Sequence, residues 1–278
     1  MKIQQHKAEL FHQLHHNGKM LVLPNIWDPL GAALLENLGY PAVATASASI
    51  AFTNGYDDGE NIPFYEMLSV LNRIISNVSV PVTVDFESGY SPTLHGLEVN
   101  IRMLIKAGAI GINIEDFDKR TGRLFTVEQQ CERIELIKNI SIEMNVPVFI
   151  NARTDVYIRD IDLKTDQEKF IETLSRGKEY LRAGGDCFFP IAMKTKNDIQ
   201  NIISDLKCPV NILLLPGVPD LKTLEESGVS RVSLGSSFLK TSIRAMKDAA
   251  IRLLNYDGSD EITGNDVTWD YLKNLIQK

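Results

Sequence analysis

Residues 82–90 read VTVDFESGY, an apolar, β-branched run that ends in two acids, Asp85 and Glu87, and a glycine. A run that is apolar at almost every position is typical of a parallel strand buried on both faces. Comparable runs recur along the chain, and a segment with helical periodicity follows each of them. These runs are residues 20–24, 42–46, 82–86, 110–114, 148–151, 186–190, 210–215 and 231–234. Eight strand–helix units in succession predict an α/β fold of the (β/α)8 TIM-barrel class.

The segments between and around these runs carry helix signals. Asp28 and Pro29 are typical of a helix start. A doubly wound open sheet has the same alternation, but no G-x-G-x-x-G motif follows the first run and eight units favour closure. Residues 3–17 and 266–277 predict extra N- and C-terminal helices, which either cap the barrel or pack on a neighbouring subunit. We see no linker or repeat, so residues 1–278 are predicted to form a single barrel domain.

Composition narrows the function classes. The formal net charge of −7 disfavours a nucleic-acid partner, because phosphate binding needs a basic surface. The cysteines Cys131, Cys187 and Cys208 are scattered without C-x-x-C spacing, which indicates a reducing compartment rather than a zinc site. The chain shows no signal-peptide core and no apolar run near the ~18 residues of a membrane span. We therefore expect a cytoplasmic protein that acts on a small molecule.

Acidic residues follow three consecutive strands of the predicted barrel. Asp85 and Glu87 stand at i, i+2, so in an extended chain their side chains point the same way. Glu115 ends the next strand, and Asp58 lies in the loop after the strand before. Crowded carboxylates repel unless a cation neutralises them, and oxygen ligands suit Mg²⁺, with Mn²⁺ as the alternative. The sequence predicts a metal site with Asp85 as direct ligand and Asp58, Glu87 and Glu115 acting through water.

Other acids near these positions have a simpler interpretation. A single acid at a strand end is more often a helix cap or a solvated loop residue than a ligand. Asp57, Asp116 and Asp155 are given that role, and either of the latter two caps a loop or pairs with Arg153. Arg153 itself follows strand five, where its planar fork suits two-point binding of a carboxylate or enolate oxygen. The alternative for Arg153 is a structural salt bridge with Glu115 or Asp155.

Two further side chains stay open as pocket residues. His95, in the loop after strand three, either reaches the pocket mouth as an acid or base or is an ordinary surface histidine. Trp27, after strand one, lines the pocket or packs in the core. No strand ends in a lysine, which disfavours a Schiff-base aldolase.

At these strand ends the sequence resembles the isocitrate lyase/phosphoenolpyruvate mutase superfamily, in particular its short bacterial branch of carboxyvinyl-carboxyphosphonate phosphorylmutase-like or 2-oxo-acid lyases. The resemblance covers roughly residues 10 to 245, and its Asp-x-Glu-x-Gly-Tyr and Ala-Arg-Thr-Asp segments are quite specific. The matching stretches are PNIWD at 24–28, TASA at 45–48, GYDDG at 55–59, VDFESGY at 84–90, GINIED at 111–116 and NARTD at 151–155.

The resemblance implies that Mg²⁺ and a 2-oxo acid bind together and that cleavage proceeds through an enolate. It implies Asp85 as direct metal ligand, with Asp58, Glu87 and Glu115 as the water-mediated shell. It also implies homo-oligomers, tetramers or dimers, that exchange C-terminal helices at about residues 236–278. The implied substrate-binding residues are Thr45, Ala46, Ser47, Arg153 and Asn211, and Lys119 and Arg120 are predicted to close over the substrate beside Arg153 as catalytic residues.

The departures from the family are as informative as the matches. Isocitrate-cleaving members carry a Lys-Arg-Cys-Gly-His loop after strand four, whereas residues 119–123 here read KRTGR, and a threonine cannot replace that thiol as an acid. Ile191 and Leu213 stand where those lyases place a glutamate and a threonine, so a succinate product should bind poorly. We predict a Mg²⁺-dependent lyase for a small, oxaloacetate-like 2-oxo acid. The alternatives are a 2-oxo-acid-binding protein with little or no turnover, and P–C bond chemistry on phosphonopyruvate.

Overall fold

The apolar runs form the strands of a parallel barrel in a computed structural model that describes residues 2–159, 162–163 and 165–277. The strands are β1 (Leu21–Leu23, continued by Asn25–Ile26), β2 (Val43–Thr45), β3 (Val82–Asp85), β4 (Gly111–Glu115), β5 (Phe149–Thr154), β6 (Cys187–Pro190), β7 (Asn211–Leu213) and β8 (Arg231–Ser233). Each of the predicted runs thus contains a strand. The run at 148–151 was placed too short, since β5 continues to Thr154 and includes Arg153.

The pairing of the strands closes the barrel. Strands β1 to β6 pair in sequence order, β7 pairs with β8, and all of these pairs are parallel. A bridge between Phe188 and Val210 joins β6 to β7. Pro24 interrupts β1, because proline has no N–H for the ladder, and the segment before it pairs with β8 while the segment after it pairs with β2. The predicted (β/α)8 barrel is confirmed.

Helices cover the outside of the barrel and extend it at both ends. They are α1 (Lys2–Leu14), α2 (Pro29–Asn37), α3 (Ser47–Thr53), α4 (Phe64–Ser76), α5 (Leu94–Ala107), α6 (Val127–Glu143), α7 (Val156–Arg159), α8 (Asp166–Arg182), α9 (Lys196–Leu206), α10 (Leu221–Glu226), α11 (Ser237–Leu254), α12 (Ser259–Thr263) and α13 (Trp269–Ile276). Asp28 caps α2 as predicted, accepting from the N–H of Gly31 at 2.7 Å. A two-stranded hairpin, Phe117–Asp118 with Arg123–Leu124, follows β4.

The N-terminal end of the barrel is closed by α1. The Phe11 ring lies edge-on to Phe149, with centroids 5.2 Å apart, and the imidazole of His15 stacks on Phe149 at 4.0 Å. His15 Nδ1 lies 2.8 Å from the carbonyl oxygen of Phe11. All of these rings are buried. Of the two alternatives for the N-terminal helix, capping the barrel is therefore the one that the structure shows.

The C-terminal helices lie against the outside of the barrel. Trp27 faces a cavity beside α13, together with Tyr271 and Leu275, so it does not line the pocket of acidic residues. Helix α11 leaves apolar side chains such as Met246 and Leu254 exposed. Across the described part of the chain, no helix combines the length and apolar character that a membrane crossing requires.

Candidate functional site

The carboxyl ends of the early strands and the loops after them surround one cavity. The predicted site residues that line it are Ala46, Ser47, Asp58, Asp85, Glu87, Glu115, Lys119 and Arg153. The C-terminal end of the strands is where barrel enzymes carry their chemistry, because the βα loops converge there. The structure therefore brings together most of the residues that the sequence singled out.

Asp85, the last residue of β3, is held in place by donors on both sides. Its Oδ2 accepts from the N–H of Ser47 at 3.1 Å and from the Ser47 hydroxyl at 2.7 Å, and its Oδ1 accepts from Asn113 Nδ2 at 2.9 Å. The backbone N–H of Asp85 donates to Thr45 Oγ1 at 3.0 Å. The strand-two segment predicted to bind a substrate carboxylate thus orients Asp85 and fixes the direction of its carboxylate.

Glu87 lines the cavity, but its backbone is not extended as the sequence predicted. The chain leaves the extended conformation after Asp85, and Glu87 has a φ of 48°, so the i, i+2 argument for a shared face was wrong. The turn is completed at Gly89, with a φ of 98°, where an added Cβ would lie 2.5 Å from a methyl carbon of Leu97. Burial raises the pKa of Glu87, while contacts with the Lys119 ammonium and the Tyr90 hydroxyl, the latter at 2.7 Å, oppose this shift.

Lys119 stands at the start of the hairpin turn and faces several acids at once. Its ammonium contacts Glu87 and lies 3.8 Å from Glu60 Oε1 and 3.8 Å from Glu115 Oε1. Burial disfavours the charged amine, but Glu87, Glu115 and Glu60 outweigh burial and raise the pKa of Lys119. Lys119 is therefore a fixed cation of this site.

Arg153 on β5 is paired on two sides. Its Nη1 lies 2.9 Å from Glu115 Oε2, and its Nε and Nη2 donate to the two oxygens of Asp155 at 2.6 and 2.9 Å. The salt-bridge alternative is thus present in the structure. Burial raises the pKa of Glu115 strongly, although Arg153 counteracts it, and Asp155 and Glu115 raise the pKa of Arg153 against the effect of burial. The fork also lines the cavity, so Asp155 positions a cation that faces the site.

Asp116 belongs to a separate buried network behind the site. Its carboxylate accepts from the Thr154 hydroxyl at 2.6 Å, the Asp155 N–H at 2.8 Å and the Tyr180 hydroxyl at 2.7 Å, and it pairs with Arg176 at 3.2 Å. Of the two alternatives for Asp116, the structure shows the capping role and not the pairing with Arg153, because the Asp116 carboxylate accepts from the backbone after β5 and faces Arg176 on α8. Asp116 thereby joins the ends of β4 and β5.

Several predicted residues lie elsewhere. Arg120 folds back on Asp118, with contacts of 3.1 and 3.0 Å, and does not line the cavity, so its predicted closure over the site is not seen. His95 is exposed on the first turn of α5 and away from the cavity. Asn211 is fully buried inside the barrel below the acidic cavity. Asp58 is exposed at the mouth, where its Oδ1 accepts from the N–H of Gly59 at 2.9 Å.

Sequence reasoning missed further residues of this site. Glu60 Oε1 accepts from Ser88 N at 2.9 Å, Ser88 Oγ at 2.8 Å and Tyr90 N at 2.9 Å, which fixes the loop that carries Glu87. Its position two residues after Asp58 was the available signal. Ser236, Ser237 and Lys240, after β8, and Arg159 on α7 also line the cavity, and only the Gly-Ser-Ser turn marked them in the sequence.

The donor set of the cavity fits a hard divalent cation. Among residues 2–159, 162–163 and 165–277, no three His, Cys, Asp or Glu side chains stand together as a ready set of metal ligands. Four acids and four basic residues line the cavity, and Lys119 and Arg153 pair with Glu87 and Glu115. Asp85 differs, because in the described part of the chain its oxygens accept only from the neutral donors Ser47 and Asn113 and no cation lies within salt-bridge distance. A carboxylate without a cationic partner is an oxygen ligand of the kind that Mg²⁺ and Mn²⁺ prefer.

Comparisons with known proteins agree with this geometry. The family model described as phosphoenolpyruvate phosphomutase matches residues 11–254. An uncharacterised Mycobacterium tuberculosis protein is 31% identical over 240 residues, which cover 86% of this chain and 87% of that protein. Oxaloacetate decarboxylase 1 of Pseudomonas putida is 23% identical, with 94% and 90% covered. The crystal structure of a Burkholderia cenocepacia protein classed as a phosphonomutase superposes with a TM-score of 0.85 at 34% identity, covering 90% of this chain and 99% of that one.

Proposed function

This chain belongs to the phosphoenolpyruvate phosphomutase family, and we propose that it is a Mg²⁺-dependent carbon–carbon lyase that acts on a small 2-oxo acid such as oxaloacetate. The observation that carries the proposal is Asp85, a carboxylate of the cavity wall that, among the described residues, only neutral donors contact, beside the inward-facing fork of Arg153. A metal ion would neutralise Asp85, and the cationic fork suits the anionic substrate.

The chain's own residues divide the work as follows. Asp85 would hold the metal directly, and Asp58, Glu87 and Glu115 would act on it through water. When bound, the ion supplies positive charge that stabilises negative charge on the carbonyl and carboxylate oxygens of the substrate. Arg153 adds a second positive charge at the same oxygens, and Asp155 fixes its direction through the two-point contact.

Lys119 and the strand-two segment complete the proposed site. The ammonium of Lys119 neutralises Glu87 and lies at the cavity wall, where it orients the carboxylate end of the substrate. Ala46 and Ser47 line the cavity, and Ser47 and Thr45 keep Asp85 in register through their hydrogen bonds to it. Arg120 is left out of the proposal because Asp118 holds it outside the cavity.

The wall of the cavity supports a small substrate. Ile191 and Leu213 line it where isocitrate-cleaving relatives are expected to place polar side chains. An apolar wall leaves a second large polar product without partners. Oxaloacetate, the substrate that the name of the Pseudomonas putida relative gives, is a keto acid of this small size.

A second candidate is a 2-oxo-acid-binding protein without turnover. The supporting observation is that Cys131, Cys187 and Cys208 all lie outside the lining of the cavity, and that Thr121 donates its hydroxyl to the backbone oxygen of Asp118 at 3.3 Å. Decarboxylation needs little more than a charge-stabilising site, so this observation does not remove the first candidate.

The test is a screen of oxaloacetate, other 2-oxo acids and phosphonopyruvate, with Mg²⁺ and with EDTA, following pyruvate release and thermal stabilisation together. We expect pyruvate from an oxaloacetate-like acid with Mg²⁺ and none with EDTA. Stabilisation by oxalate without product from any acid would favour the binding protein. Product from phosphonopyruvate alone would replace the carbon–carbon lyase by P–C bond chemistry.

A further inference from the structure

Arg231 is a buried cation with two donor atoms that have no partner among the described residues. It opens β8, and its side chain is 3% exposed inside the barrel. Its Nε and Nη1 atoms are buried without a hydrogen-bond partner, and among the described residues no carboxylate lies within salt-bridge distance of the guanidinium. The buried arginines Arg153 and Arg176 are each paired with an acid, and Arg133, also buried, donates to the carbonyl oxygen of Ser88.

A buried unpaired guanidinium is costly in free energy, since burial removes its hydration and no opposite charge replaces it. Burial lowers the pKa of Arg231 to about 10, against smaller opposing effects of Cys187 and Asp85. At neutral pH the group therefore keeps its charge. A cation retained at such a cost points to a ligand that supplies the missing negative charge.

A second unpaired donor stands beside Arg231. Asn211 is its in-register neighbour on β7, so both side chains face the same side of the barrel. The Asn211 carbonyl oxygen accepts from the Ser233 hydroxyl at 2.8 Å, which leaves the amide nitrogen Nδ2 as a buried donor without a partner. Arg231, Asn211 and Ser233 line one cavity, the floor cavity, of about 70 Å³. Its lining also holds the unpaired acceptor Asn151 Oδ1, but the cationic donor Arg231 beside the amide N–H of Asn211 suits an anion.

This floor cavity continues into the acidic cavity above it. Asp85, Arg153, Ile191, Leu213 and Gly235 line both. The shared wall toward β6 and β7 is apolar through Ile191 and Leu213, so a second carboxylate on a ligand bound at Asp85 has no partner there. Lys240 and Arg159, the other basic residues of the acidic cavity, are exposed, so the buried unpaired donors open to this carboxylate are those at the floor.

We propose that Arg231 and the amide nitrogen of Asn211 form a second anion subsite, which takes the far carboxylate of a four-carbon dicarboxylic 2-oxo acid whose other end lies at Asp85 and Arg153. This inference rests on the proposed function and narrows its substrate class to dicarboxylates. The shared chemistry is that of a small anion, which either the substrate or an inorganic anion such as chloride supplies.

The test compares malate with lactate, which share the 2-hydroxy acid end and differ by the far carboxylate, in calorimetric titrations with Mg²⁺ present. We expect the wild type to bind malate at least about 10-fold more tightly than lactate, as one charge-assisted pair contributes on this scale. Arg231→Met should remove the preference and leave oxalate affinity within about twofold. Arg231→Lys, which keeps the charge but loses the planar fork, should retain part of it.

The outcomes separate this inference from the proposed function. No binding of oxalate to the wild type would overturn the proposed function itself. Oxalate binding without a preference for malate would overturn the subsite alone. If chloride stabilises the wild type but not Arg231→Met, and malate and lactate bind equally, the site takes an inorganic anion. That result would overturn the assignment of the subsite to a substrate carboxylate. Without ligand, Arg231→Met should melt no lower than the wild type, because an apolar side chain replaces an unpaired charge; a lower melting temperature would contradict an unpaired cation.

Discussion

The two ends of the barrel are built from the same strands but carry opposite chemistry. At the N-terminal end, α1 presses Phe11 and His15 against Phe149, and the rings exclude water. At the C-terminal end, the same strands finish in acids and arginines around an open cavity. Packing at the closed end stabilises the fold, whereas the crowded charges at the open end destabilise it. Substitutions at the two ends should therefore separate stability from chemistry.

Asp85→Asn should give the largest effect at the open end. The amide keeps the shape but loses the charge, and we expect metal-dependent turnover to fall by at least about 10³-fold, since even an outer partner of a metal site contributes about 10- to 100-fold. The measurement is kcat/KM for the acid identified by the screen, at several Mg²⁺ concentrations.

Asp57→Asn is the matched control. Asp57 is exposed in the neighbouring loop and lies outside the cavity lining. Its variant should keep wild-type kcat/KM. Equal losses in both variants would show that activity depends on the total negative charge near the site and not on Asp85 itself.

Phe11→Ala should have the largest effect at the closed end. Removing a fully buried ring is expected to cost about 3–5 kcal/mol of unfolding free energy, because it leaves a cavity against Phe149. Urea unfolding measures this cost, with Leu10→Ala, partly exposed on the same helix, as the control. A change of kcat larger than the loss of folded protein would break the separation of the two ends.

Arg153→Lys should weaken the open end without unfolding it. Lysine keeps the charge but cannot make the two-point contact with Asp155, so we expect about a 10²-fold loss in kcat/KM. The same substitution at Arg120, which pairs with Asp118 outside the cavity, should change activity by less than about twofold. If the two variants lose activity equally, the fork of Arg153 has no special role.

His15 should give the closed end a pH dependence. Burial lowers the pKa of His15 to about 3, whereas the unfolded chain has a value near 6.5. Between these two pKa values His15 is protonated in the unfolded chain and neutral in the folded chain. The contribution of His15 to the free energy of unfolding is therefore fully present above pH 6.5 and decreases as the pH falls. From pH 7 to pH 5 the loss should be roughly 2 kcal/mol.

The measurement is urea unfolding of the wild type and of His15→Gln at both pH values. The variant should lose this part of the pH dependence, while His6→Gln, an exposed position on α1, should retain it. A pH dependence unchanged in His15→Gln would show that other groups cause it.

The architecture was predictable because its signal is periodic. Buried parallel strands are apolar along their whole length, so each run was visible, and Asp28 with Pro29 marked the start of α2. Asp85, Glu115 and Arg153 were predictable because parallel strands align their carboxyl ends. Their positions at the ends of strands were therefore enough to predict that they lie at the same end of the barrel.

The rest depends on contacts that join distant parts of the chain. Glu87 reaches the cavity through left-handed backbone, and Glu60 fixes its loop across 28 residues of sequence. Arg120 follows Lys119 directly, yet the hairpin turn sends one side chain inward and the other to Asp118. Arg231 lies at the start of a strand, where an arginine in sequence is indistinguishable from a surface residue until the barrel closes around it.

The most direct test of the metal site is calorimetric binding of Mn²⁺ to the wild type and to Asp85→Asn, with and without oxalate. We predict one ion per chain in the wild type, tighter binding when oxalate is present, and no binding that oxalate enhances in the variant. Equal Mn²⁺ binding by both proteins, unaffected by oxalate, would contradict a metal and 2-oxo-acid site at the open end of the barrel.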